Sequence, residues 1–110
     1  MKVNILGTEY TIEERTVEED SYLENCDGYC DKSTKEIVVS KQKPDNDLNN
    51  YEWYRKKVMR HEIVHAFLYE SGLDVSFEHA NRYGHEETMV DWIAVQFPKM
   101  QKAFEEAGCL

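Results

Sequence analysis

The sequence predicts an α+β fold in which a small antiparallel sheet packs on two helices. Three observations carry that prediction. Apolar residues alternate with polar ones through positions 1–41, they recur at helical spacing after position 49, and the strand-like segments all precede the helical ones. A chain of 110 residues holds one modest core, so a single domain over 1–110 is expected.

The elements follow in chain order. Val3 and Ile5 alternate with polar neighbours, Gly7-Thr8 marks a turn, and Tyr10 and Ile12 alternate again, which reads as a hairpin. The acidic stretch from Glu13 to Asp20 reads as a solvated turn or the start of a short helix. Tyr29-Cys30-Asp31 and Glu36-Ile37-Val38-Val39, joined by the polar residues 32–35, suggest a second hairpin. Pro44 to Asn50 is a loop. A helix over 49–72 is predicted from Asn49 as cap, Glu52 three residues on as capping box, Leu48 and Trp53 as staple, and Gly72 as stop. Its half from Ile63 to Tyr69 is apolar nearly all round, which implies burial and places the neighbouring histidines inside. After an irregular connection, a second helix is expected over 85–108. Val90, Ile93, Ala94 and Phe97 form its buried stripe, Pro98 ends or kinks it, and Met100, Ala103, Phe104 and Ala107 continue the stripe. Trp53 and Trp92 read as core or helix-contact residues.

Charge and cysteine content narrow the function classes. With 22 acidic against 13 basic residues the chain carries −9, and it lacks the excess of cations that nucleic acid or an anionic membrane demands. No segment approaches the roughly 20 apolar residues that span a bilayer. The run Val3–Leu6 is too short for a signal peptide, so a cytoplasmic protein, monomeric or weakly oligomeric, is expected. Three cysteines, an odd number, suit a reducing compartment, and Cys26, Cys30 and Cys109 lack the paired spacing of a thiolate zinc site.

The chemistry concentrates in His61-Glu62-Ile63-Val64-His65. Two histidines four apart on a helix lie on one face a turn apart, which lets both imidazoles reach one Zn²⁺. Glu62 then lies beside the metal, where it can accept a proton from an activated water. A third protein ligand is needed, and His79, His85, Glu86, Glu87 and Asp91 lie downstream. Glu87 and Asp91 share a helical face, so that one can ligate while the other orients a ligating histidine; Glu87 is favoured as the ligand, with Glu86, His79 and His85 as alternatives. Tyr69, Tyr83, His79 and His85 are candidate oxyanion or substrate contacts, although each reads first as a packing or surface residue.

HEIVH followed by Glu87-x-x-x-Asp91 resembles the gluzincin metallopeptidases. The small size and the run from HEIVHAFLYESGL to EETMVDWIA look most like the ImmA/IrrE-type domains often carried by prophages and mobile elements, a resemblance that covers roughly residues 22–97. It implies a minimal zincin-like domain with one zinc per chain held by His61, His65 and Glu87, with Glu62 as general base and Asp91 behind the ligands. It also implies hydrolysis of a peptide bond in an intracellular, regulatory protein. An extended substrate would add a strand to a sheet edge, with 36–40 or 29–31 as that edge. The competing reading is a catalytically weak or inactive, metal-stabilised module that binds a partner protein.

Overall fold

A computed structural model describes residues 1–72 and 87–110; within 87–110 the side chains of Glu87, Thr88, Val90, Asp91 and Ala94 are not described. The architecture is α+β: strands β1 (Lys2–Ile5), β2 (Thr8–Arg15), β3 (Gly28–Asp31) and β4 (Glu36–Ser40), then helices α1 (Tyr51–Ser71) and α2 (Glu87–Glu106). The sheet order is β1-β2-β4-β3. β1 pairs antiparallel with β2, and β3 with β4, as two hairpins. Leu6 and Gly7 both have positive φ, which the tight turn between β1 and β2 requires.

The sheet is mixed rather than wholly antiparallel, because β2 and β4 pair in parallel. The acidic segment explains why. It is no simple turn: Glu13 and Glu14 belong to β2, and the chain then crosses to the far edge through a 3₁₀ turn at Ser21–Glu24 before returning as β4 beside β2. Asp20 caps that turn by accepting from the Tyr22 amide, while its other oxygen accepts from the Tyr29 hydroxyl at 2.5 Å and from Arg15 at 2.9 Å. The crossover carries the fully buried Leu23, and β4 turns the fully buried Val38 to the face opposite Ile37 and Val39.

The main core lies between sheet and helices. Val3, Ile5, Tyr10, Ile12, Ile37 and Val39 face Met59, Ile63, Ala66 and Phe67 of α1 and Met100, Ala103, Phe104 and Ala107 of α2. α1 packs on β3, β4 and α2, and α2 packs also on β1. Asn50, not Asn49, caps α1: its side chain accepts from the Trp53 amide at 3.2 Å. With the cap one residue later, Glu52 bonds Arg55 instead of closing a capping box, and Leu48 and Trp53 are exposed rather than stapled. Trp53, 58% exposed, is therefore not a core residue. Gly72 ends α1 in the left-handed conformation.

α2 continues through Pro98 instead of ending there. Of the expected buried stripe, Ile93 and Phe97 are exposed, Met100, Ala103, Phe104 and Ala107 are buried, and the side chains of Val90 and Ala94 lie outside those described. Among the described side chains of the first half, Trp92 and Gln96 are half-buried, and Trp92 packs against the core. Arg60 of α1 donates to the Cys109 carbonyl at 2.5 Å and ties down the end of the chain. Among the described residues no helix is long and apolar enough to cross a membrane.

Candidate functional site

His61, Glu62 and His65 lie in the middle of α1, but their burial is not as the apolar flanks suggested. His61 is exposed and His65 half-buried, while Glu62 is 7% exposed. The helical register accounts for this. Glu62 shares the core-facing side with Met59, Ile63, Ala66 and Phe67, and the histidine stripe lies beside it at the margin of the core.

The two imidazoles converge. Their Nε2 atoms are 3.1 Å apart and the rings meet nearly edge to face. Two Zn–N bonds of about 2.05 Å at a tetrahedral angle would separate the nitrogens by about 3.3 Å, so the pair suits a shared metal. The same separation also suits one neutral imidazole donating to the other. Burial, and secondarily the proximity of His61, lowers the pKa of His65 and favours its neutral, ligating form. The Tyr69 ring stacks against His65 at 6.3 Å between centroids, and the Lys32 ammonium lies 5.2 Å from the Tyr69 ring centre.

Glu62 accepts no hydrogen bond from any described residue, and burial raises its pKa against a smaller opposing pull from His61. Its carboxylate opens on a groove of about 300 Å³ between β3 and the first half of α1, where Asp27, Gly28, Tyr54, Val58 and His61 also line the wall. Gly28 makes the groove narrow. A Cβ at that position would sit 2.8 Å from Val58 Cγ1, 3.0 Å from the Val38 carbonyl oxygen and 3.4 Å from Glu62 Cγ, so only glycine lets the strand approach this closely. Asp27 is pinned beside it: one oxygen accepts from Tyr54 at 2.5 Å and the other from Lys43 at 3.0 Å. Cys30 sits one pleat further along β3, its thiol pushed up to about 12 by burial and then by the charge of Glu62.

Among the described residues β3 is an edge strand, whereas β4 is central and paired on both sides, so residues 36–40 cannot serve as a free edge. The Ser40 amide donates to the Asp27 carbonyl at 2.9 Å, and antiparallel pairs alternate between bonded and unbonded positions. In this register residues 27, 29 and 31 bond to β4, and Gly28 and Cys30 turn their N–H and C=O groups to the open edge.

Glu87 stands at the first residue of α2 and Asp91 one turn on, with side chains outside those described. His79, Tyr83, His85 and Glu86 lie outside the described residues altogether. Among the described residues no three His, Cys, Asp or Glu side chains group to hold a metal, so the described site is the histidine pair and Glu62. Gly28 and the pinning of Asp27 were not foreseen from sequence; a glycine opening a four-residue strand was the one signal available. Compared with models of known protein families, with curated proteins and with solved structures, the chain matches none.

Proposed function

We propose that this chain is a zinc-dependent metallopeptidase with a zincin-like site. The observation that supports this most is Glu62, a buried side chain whose carboxylate accepts from no described residue, on the wall of a groove and beside two convergent imidazoles in sequence, next to His61 and three residues from His65. An unpaired buried carboxylate costs several kcal/mol and is retained where it has work to do. A partner-binding module with the same histidines would leave that carboxylate without a role.

His61 and His65 would hold the metal through Nε2, with Glu87 at the start of α2 as the third ligand and Asp91 one turn behind it. Zinc, when bound, supplies the Lewis acidity that activates water and polarises a carbonyl. Glu62 takes the proton of the attacking water and returns it to the leaving amine, and its desolvation makes it a stronger base than a solvated glutamate. The outward N–H and C=O groups of Gly28 and Cys30 hold an extended substrate as an added strand. The close approach at Gly28 keeps that strand beside Glu62.

The test is cleavage of an unstructured protein by untagged enzyme. Cleavage that stops with a chelator, returns with zinc, and is absent in Glu62→Gln supports the assignment. Cleavage by Glu62→Gln at the wild-type rate would remove Glu62 as the base.

A further inference from the structure

We propose that Lys57 selects an acidic side chain at one position of the substrate, the residue placed opposite Gly28 by pairing with the β3 edge. This rests on the peptidase reading above and names the kind of peptide it takes.

In an added strand, the residue opposite Gly28 turns its side chain to the same face as Gly28, toward α1. Gly28 has none of its own and stands close against Val58 and Glu62, while the groove of about 300 Å³ beside it has room for one side chain. Four charged or ionisable side chains on its wall are already in use. Asp27 has one oxygen bonded to Tyr54 and the other to Lys43. His61 and Glu62 belong to the reaction, and the Cys26 thiol donates to the Tyr22 carbonyl at 3.5 Å.

Lys57 is what remains. It lines the same groove, is exposed, and forms no ion pair or hydrogen bond with any described residue; its ammonium lies 5.8 Å from the Tyr54 ring centre. The chain as a whole carries −9 and repels acidic peptides at a distance. At physiological salt that field is screened beyond roughly 8 Å, so within the groove the contact with Lys57 decides.

The experiment uses a library of random decapeptides and the zinc-loaded full chain. Cut sites are mapped by mass spectrometry for wild type, Lys57→Gln and Lys57→Glu. In parallel, immobilised Glu62→Gln protein, with and without Lys57→Glu, retains peptides whose composition is read. The expected result is enrichment of Asp and Glu at one fixed position by about two- to five-fold, the scale of an exposed ion pair. That enrichment is lost in Lys57→Gln and turned to Lys and Arg in Lys57→Glu. Lys57 is exposed, so neither variant disturbs the fold.

Cleavage without an acidic preference, or with one that Lys57→Glu leaves in place, overturns the role of Lys57 and leaves the peptidase reading standing. Retention that follows residue 57 without any cleavage supports the groove and rejects hydrolysis. Neither cleavage nor retention overturns both.

Discussion

Two glutamates eight residues apart on α1 meet opposite environments. Glu70, near the C-terminal end, accepts from Thr8 at 3.0 Å, from Tyr10 at 2.8 Å and from Lys35 at 2.5 Å, and the bond from Lys35 is the main reason its pKa is lowered. Glu62 accepts from no described residue, and burial raises its pKa. One carboxylate spends its charge on tying the helix to the β1–β2 turn and to the start of β4. The other keeps its charge available at a groove. The difference separates structural from chemical use of the same residue type, and it points to the middle of α1 as the place where the fold accepts a local cost.

The largest expected effect is on turnover. Glu62→Gln should reduce peptide cleavage by a factor of about 10²–10⁴ while the protein still retains its metal, as peptide assays and metal analysis would show. Glu70→Ala should act on the other side of the comparison. It leaves Tyr10 and Lys35 without their acceptor, so denaturant unfolding should report a loss of about 2 kcal/mol. Gly28→Ala should fall between these two functions. Its Cβ collides with Val58 and the Val38 carbonyl, so a loss of about 1–3 kcal/mol is expected in thermal or denaturant melts. Cleavage should weaken beyond what the lost folded fraction explains. In metal-free protein, Glu62→Gln should gain about 1 kcal/mol of stability, since it removes a buried charge that no described residue pairs.

The smallest effect is in the acid limb of stability. Glu70 has a folded pKa below its unfolded value, so its contribution is fully present above the unfolded pKa, about 4.3. It is lost as pH falls through the folded pKa. Glu70→Gln should lack that pH-dependent part, and its stability should change less than that of wild type between pH 5 and acid. A parallel decline in both proteins would show that Glu70 is not the group responsible.

Much of this arrangement was readable in the chain. Alternation in Val3–Ile5 and Tyr10–Ile12, and the polar break between Asp31 and Glu36, marked two hairpins. The spacing of His61 and His65 placed them together on one helical face, where their nitrogens meet. The parallel pairing of β2 with β4 was not readable. It depends on Leu23 and the Asp20–Arg15–Tyr29 bonds holding a crossover to the sheet, contacts between residues distant in sequence. The apolar flanks of the histidines suggested that the imidazoles are buried, but helical register put Glu62 inside and left His61 out. Asn49 and Asn50 are equal as caps on paper, and only the bond to the Trp53 amide distinguishes them. The apolar spacing of Ile93 and Phe97 implied burial, yet neither is covered. The closeness of Gly28 to Val58 and Glu62 is a tertiary fact with no local signature.

The histidine pair is proposed to hold a metal beside the Glu62 carboxylate, which accepts from no described residue. Metal content by mass spectrometry on untagged protein tests it most directly, with His65→Ala and Glu87→Ala measured alongside. One zinc per chain in wild type, lost in both variants, is the predicted result. Wild-type protein that binds none even after zinc is added back would contradict it, and the 3.1 Å contact of His61 with His65 would then be a hydrogen bond between neutral imidazoles.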